Sequence, residues 1–244
     1  MKIGLFIPCY IDQFYPQVGI ATLHLLKKLD CDVSVPLAQT CCGQPLANSG
    51  LEHKAKDIYH HLVQTFAGFD YVVAPSASCV YHIRHHYDIV EQTEQVQFLR
   101  SHTLDITEFL TDILQIQSLD SYFPHKVGLH RSCHGLRGLR LAKSSELIQT
   151  SYSKWEILLG MVQGLELVPL DFPDECCGFG GTFSVFEEAV SAKMGKDRIS
   201  DHHRNGAEYI TAGDMSCLMH LEGIIRRNKN KLKVKHLVEI LNGT

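Results

Sequence analysis

Apolar residues along this chain come in short blocks that alternate between two periods. Residues 3–8 form an apolar run too short for a helix and closed by proline, which predicts a buried strand. Beyond it Val18, Ala21, Leu25 and Leu29 fall at helical spacing within residues 17–29, and Leu26 widens the stripe. Residues 32–36 predict a second strand, 51–66 a second helix and 71–74 a third strand, after which Cys79 opens a helical stretch to Tyr87. The order then recurs. A strand is expected over 126–130, mostly helix over 146–162, a strand over 165–170, helix over 186–204 and a strand over 208–211. Cys217 then lies in the first turns of a helix reaching Arg227. Strands alternating with helices of this length imply right-handed βαβ units and a parallel sheet.

The recurrence is visible in the residues themselves. Residues 2–9 (KIGLFIPC) align without a gap with 126–133 (KVGLHRSC), and 71–82 (YVVAPSASCVYH) with 209–220 (YITAGDMSCLMH). Between these anchors lie Cys41-Cys42-Gly43 in the first half and Cys176-Cys177-Gly178 in the second. The expected fold class is therefore α/β, with two duplicated Rossmann-like halves. Each is a small parallel sheet flanked by helices, and a pseudo-two-fold relates them. The expected domains are residues 1–122 and 123–244, joined near 120–125, where Pro124 stands.

Composition narrows the function classes. The 244 residues are 45% apolar and carry a formal net charge of −4, an ordinary globular balance without the basic surface that nucleic acids require. The most basic stretch, from Arg226 to Lys231, ends a helical pattern and reads as a solvated helix C-terminus. No run approaches the ~18 consecutive apolar residues of a membrane span. No direct membrane insertion is expected, and no signal peptide is evident in the first residues. The expected location is cytoplasmic, with membrane association only through partners. In a reducing compartment clustered cysteines serve metal or redox chemistry more often than disulfides.

Eight of the nine cysteines fall into the repeat. Cys9, Cys41, Cys42 and Cys79 form one set, and Cys133, Cys176, Cys177 and Cys217 the other. Gaps of 31 and 36 residues in the first set become 42 and 39 in the second. Cys31 stands outside the pattern and is expected to be a buried packing residue. Each patterned cysteine follows a predicted strand and precedes a predicted helix, which places it at the carboxyl edge of its sheet, where open α/β sheets bind ligands. Helix N-termini there supply N–H groups and a positive dipole end. Adjacent cysteines are strained disulfide partners, so two thiols beside a glycine read as ligands to one metal centre. Four thiolates suit either tetrahedral zinc or an iron–sulfur cluster, and the spacing alone does not choose.

The pattern Cys-x₃₁-Cys-Cys-Gly-x₃₅-Cys, repeated with longer gaps, resembles the cysteine-rich CCG domain of the B component of heterodisulfide reductase and of the glycolate oxidase iron–sulfur subunit. The segments 75–80 (PSASCV), 175–181 (ECCGFGG) and 213–220 (GDMSCLMH) resemble those of the lactate utilization protein A group of iron–sulfur oxidoreductases. The likeness spans essentially the whole chain. It implies an oxidoreductase subunit that relays electrons through cysteine-bound clusters as L-lactate becomes pyruvate, alongside lactate utilization proteins B and C. The chain departs from the heterodisulfide reductase pattern, which ends in Cys-x₂-Cys. Ser76 and Asp214 stand where the first of those cysteines belongs, so the resemblance here implies a four-thiolate [4Fe-4S] cluster, with zinc as the alternative in one half. Other readings are a zinc-stabilised scaffold without redox chemistry, or a redox protein acting on glycolate, a disulfide or a quinone.

Histidines supply further candidates. His82 and His220 share a repeat position one helical turn after the last cysteine, within reach of cluster sulfur as hydrogen-bond donors, proton carriers or ligands. His134 follows Cys133, and with His130, Arg131 and Arg137 forms a basic group suited to the carboxylate of a small 2-hydroxy acid. His60-His61, His85-His86 and His202-His203 read as surface residues. Gly178 to Gly181 resembles a nucleotide loop but lacks G-x-G-x-x-G. No nicotinamide or flavin site is evident, so organic cofactors are expected on partners. No catalytic triad or carboxylate pair stands out.

Overall fold

The computed structural model describes residues 1–243. Contacts divide the chain into two units, Met1–Leu114 and the remainder from Gln115. In the first unit, strands β1 (Lys2–Leu5), β2 (Asp32–Ser34), β3 (Tyr71–Ala74) and β4 (Thr103–Asp105) form a parallel sheet in the order β2-β1-β3-β4. In the second, β5 (Lys126–Leu129), β6 (Glu166–Leu167), β7 (Tyr209–Ala212) and β8 (Lys233–His236) repeat that order as β6-β5-β7-β8. Even the register is inherited. Ile3 pairs with Tyr71 and Val33, and its counterpart Val127 with Tyr209 and Leu167.

The central strands are apolar on both faces because helices cover both. Ile3, Leu5, Val73 and Ala74 are fully buried, as are Val127, Ile210 and Ala212. The helix Pro16–Lys28 buries Val18, Ala21, Leu25 and Leu26, the stripe its sequence specified. In the first unit Arg84 forms a fork with both carboxylate oxygens of Glu108 at 3.1 and 2.9 Å, while its Nε donates to the Thr103 carbonyl. This ties the helix Ala77–His86 to the start of β4 and to the helical turn that follows it.

Several elements differ from the sequence expectation. Residues 146–162 are helical only over Lys154–Leu159, because Ser153 caps that helix through the Glu156 N–H and the preceding chain pairs antiparallel between Ala142 and Ser153. The strand expected over 165–170 shrinks to two residues, and residues 51–66 divide into a 3₁₀ turn, Glu52–Ala55, and the helix Lys56–Thr65. The outer strands β4 and β8 go beyond the expected elements: TLD and KVKH carry too little apolar character to announce a strand. Each runs into a helix through a capping box, Asp105 with Glu108 and His236 with Glu239.

Candidate metal centre

Both sheets place their cysteines at the carboxyl ends of strands. Cys9 follows β1 and opens the helix Cys9–Phe14, while Cys41 and Cys42 lie in the loop after β2. Cys79 sits in the first turn of the helix Ala77–His86, after β3. Strand order reverses on either side of β1, so these loops surround the switch point of the sheet. The second unit repeats the placement. Cys133 precedes the π-turn His134–Gly138, Cys176 and Cys177 follow β6, and Cys217 lies in the first turn of the helix Met215–Arg227.

The thiols of each unit meet pairwise, each touching the next. Cys9 Sγ lies 3.6 Å from Cys41 Sγ, Cys41 meets Cys42, and Cys42 meets Cys79. Cys133, Cys176, Cys177 and Cys217 follow one another in the same way. A glycine makes each bend. Gly43 at φ +89° and Gly178 at φ +87° occupy the left-handed region, and their N–H groups donate to Cys41 Sγ at 3.4 Å and Cys176 Sγ at 3.3 Å. The Cys31 thiol, half-buried rather than fully buried, lies apart and faces the Leu29 carbonyl.

Four crowded thiols cannot ionise together without a cation. Hydrogen bonds from Cys42 and Cys9, followed by the Gly43 N–H, hold Cys41 down to about 3, and the contact with Cys41 together with burial pushes the Cys9 thiol up. Contact with Cys41 and Cys79, then desolvation, raises Cys42. In the second unit Cys133 and Cys177 hold Cys176 down to about 2, while Cys133 and Cys177 themselves are raised. One thiolate per set is thus stabilised by its neighbours' protons, and a positive ion is the partner that would release the others. This donor set fits a metal ion or iron–sulfur cluster.

Ser76 caps the helix Ala77–His86, its Oγ accepting from the Cys79 N–H at 3.4 Å. Asp214 stands at the matching cap position and is buried. His82 is buried beneath the first set, with Nε2 3.0 Å from the Tyr59 hydroxyl. Tyr59 stacks on Tyr87, whose hydroxyl donates to the Cys42 carbonyl at 3.0 Å. His82 thereby belongs to a ring network that buttresses the cysteine loop. His220 is held below its usual pKa by burial and lies against the backbone of Ser191 and Cys177. His134 is half-buried beside Cys133.

The basic group around His134 does not converge. Arg131 is bound by Glu156 at 2.5 Å and Asp174 at 3.2 Å, and Arg137 by Glu146 at 2.6 Å. His130 is 1% exposed, and burial, reinforced by Arg198, lowers its pKa to about 4. The sequence assigned it to that basic group; its place beside the thiols was missed. A His130 ring nitrogen, Cys177 Sγ and Cys217 Sγ lie within 4.8 Å of one another, the one such trio among the described residues. The available signal was the repeat itself, which aligns His130 with Phe6. His202 is also fully buried rather than exposed, its Nε2 accepting from Arg198 Nε at 3.3 Å.

A cleft of about 340 Å³ borders the first set, lined by Ile7, Cys9, Asp12, Pro36, Leu37 and Cys41 among others. A second, of about 350 Å³, opens beside Arg131, Glu156 and Pro169.

Comparison with known proteins identifies the family and similar relatives. The cysteine-rich domain CCG matches residues 3–84 and 127–222. Lactate utilization protein A of Geobacillus sp. (strain WCH70) is 37% identical over 246 residues, covering 99% of both chains. The protein of the same name from Exiguobacterium sp. (strain ATCC BAA-1283 / AT1b) is 39% identical over 248 residues, covering 99% of this chain and 97% of its own. Among solved structures, a putative Asp/Glu racemase from Yersinia pestis overlaps 99% of this chain and 96% of its own at 13% identity and a TM-score of 0.38, too slight a likeness to bear on chemistry.

Proposed function

We propose a redox function from a premise of kinship: the chain belongs to the cysteine-rich CCG domain family, within the lactate utilization protein A group. On this reading it is the iron–sulfur subunit of an L-lactate-oxidising complex and relays electrons as lactate becomes pyruvate. The observation that carries the reading is the meeting of four thiols at the carboxyl edge of each sheet. Cys9, Cys41, Cys42 and Cys79 would hold one centre, and Cys133, Cys176, Cys177 and Cys217 the other. When bound, an iron–sulfur cluster supplies a one-electron carrier.

The protein's part is to hold and tune. Gly43 and Gly178 bend the loops and direct N–H groups at sulfur, which favours the negative charge that an anionic cluster carries. The N-termini of the helices Ala77–His86 and Met215–Arg227 lie beside Cys79 and Cys217 and act in the same sense. The His82–Tyr59–Tyr87 network holds the first loop from below. The clefts are poor sites for a carboxylate. Asp12 is the charged residue lining the first, and Arg131 in the second is already engaged by two carboxylates. Substrate oxidation therefore falls to partners of the lactate utilization B and C type, and this chain receives or passes electrons. No helix among the described residues is long and apolar enough to cross a membrane. We place the protein in the cytoplasm, in contact with membranes only through its partners.

Zinc in one unit is the second reading. Two sulfurs on one tetrahedral zinc at ~2.3 Å stand ~3.8 Å apart, close to the 3.6 Å between Cys9 and Cys41. Anaerobic purification with iron, sulfide and zinc quantification, and electron paramagnetic resonance of the reduced protein, tests both. Iron and acid-labile sulfide with a reducible signal support the relay. Zinc in both units without sulfide would sink it and leave a scaffold. Replacing Cys176 by Ser should remove one centre and spare the other; loss of both would mean a single shared centre.

A further inference from the structure

We infer that His130 is a nitrogen ligand to the metal centre of the second unit, so that the two duplicated sites are chemically unequal: all-thiolate in the first, mixed nitrogen and sulfur in the second. The inference rests on the reading that the cysteine sets bind metal. Its ligand is a thiophilic transition-metal ion, either zinc or the iron of a cluster.

The duplication supplies the comparison. Phe6 and His130 occupy the same repeat position, one residue beyond β1 and β5. Their backbones make the same bond: Phe6 N–H donates to the Val73 carbonyl at 2.9 Å, and His130 N–H to the Thr211 carbonyl at 2.7 Å. Both side chains are buried, at 0% and 1% exposure. Phe6 is an ordinary core residue and packs edge-on against Phe66. An imidazole in the same place must be desolvated, and neither His130 nitrogen has a hydrogen-bond partner. For packing alone the phenyl ring is the better residue there.

Geometry shows what a His130 nitrogen faces. Together with Cys177 Sγ and Cys217 Sγ it forms the trio whose ligand atoms all lie within 4.8 Å of one another. Metal–nitrogen bonds of ~2.0–2.1 Å and metal–sulfur bonds of ~2.3 Å let one ion draw all three inward by small side-chain shifts. Arg198 adds a second sign. Fully buried, it lies within electrostatic reach of both His130 and Cys177, and its Nη2 has no partner. A buried guanidinium N–H within electrostatic reach of Cys177 is suited to an anionic centre. If the imidazole displaces one of the four thiolates assigned to this centre, the negative charge on the metal falls, and such substitution raises the reduction potential of iron–sulfur centres. With iron in both units, the second centre is then the better electron acceptor.

The test is X-ray absorption at the iron and zinc edges on the full chain carrying Cys41→Ser and Cys42→Ser, which leaves only the second set intact. The expected spectrum shows a nitrogen scatterer with imidazole outer-shell features beside the sulfurs. Adding His130→Phe, the residue the first unit uses, should remove those features. Which edge carries them identifies the metal. A sulfur-only spectrum, or imidazole features that survive His130→Phe, overturns the inference while leaving metal binding intact. Should the Cys41→Ser/Cys42→Ser chain lose all metal, the same measurement on the wild-type chain against His130→Phe decides, by whether the imidazole contribution falls. Absence of both metals from the wild-type chain defeats the parent reading instead.

Discussion

Gly43→Ala should strip the first metal centre without touching the second. Gly43 sits at φ +89°, and a Cβ there would stand 2.5 Å from Tyr59 Cε1 and 3.2 Å from Cδ1. Tyr59 cannot easily yield, since it is fully buried, stacked on Tyr87 at 4.0 Å and bound to His82. The left-handed backbone alone costs an alanine ~1–2 kcal/mol, offset by the ~0.4–1 kcal/mol gained from a stiffer unfolded chain. Overpacking against a fixed ring adds ~1–3 kcal/mol. The expected loss is on the order of 3 kcal/mol, a large share of a typical domain's stability. It falls on the loop that carries Cys41 and Cys42. Gly50→Ala is the control in the same unit: φ is +73°, but nothing lies within 4 Å of its added Cβ. That variant should lose only ~1 kcal/mol and keep its metal. Urea unfolding, with metal counted per chain after anaerobic purification, separates the two. Equal destabilisation, or full metal content in Gly43→Ala, would refute the claim that Tyr59 sets the geometry of the cysteine loop.

Three further outcomes follow from particular contacts. Arg84→Met leaves the largely buried Glu108 carboxylate unpaired and should cost ~3 kcal/mol by urea unfolding; adding Glu108→Gln, which preserves the capping role, should recover part of that loss, and simple additivity would argue against the ion pair. Burial, with Arg198 and His130, holds His202 down to about 2 against 6.5 in an unfolded chain. The unfolded state therefore binds a proton first as pH falls. Stability should drop below pH 6.5 by up to ~1.4 kcal/mol per pH unit from this residue, and less steeply in His202→Gln, as read from urea midpoints at pH 7 and 5.5. Metal removal by a chelator under reducing conditions should lower the thermal midpoint, because ligands that bind only the folded state stabilise it; an unchanged midpoint would mean the cysteine loops stand without metal.

Much of this architecture was legible from the residues in order. The gapless match of 2–9 with 126–133 and of 71–82 with 209–220 requires two similar units. The apolar runs of β1, β3, β5 and β7 announce buried strands because helices cover both faces of each sheet. The alternation of strand and helix puts Cys9 and Cys79 at the carboxyl edge of the first sheet and Cys133 and Cys217 at that of the second, since a parallel sheet returns every strand in the same direction. Those are consequences of local pattern.

What stayed hidden depends on neighbours distant in the chain. The strands β4 and β8 are held by pairing with β3 and β7 and by the boxes that cap the next helix, so their own residues carry little signal. His202 looks like half of a surface pair, but the turn of its helix buries it against Arg198 while His203 faces water. Arg131 and Arg137 look like an anion site in sequence; folding brings Glu156, Asp174 and Glu146 to them and neutralises the group. His130 is the sharpest case. As a residue it is one histidine among fifteen, and only the fold sets its ring beside Cys177 and Cys217. Sequence determined that two sets of thiols exist and at which edge they lie, because repeat and periodicity are properties of the chain. Tertiary structure decided which side chains surround each set, because burial and electrostatic pairing are properties of what folding brings together.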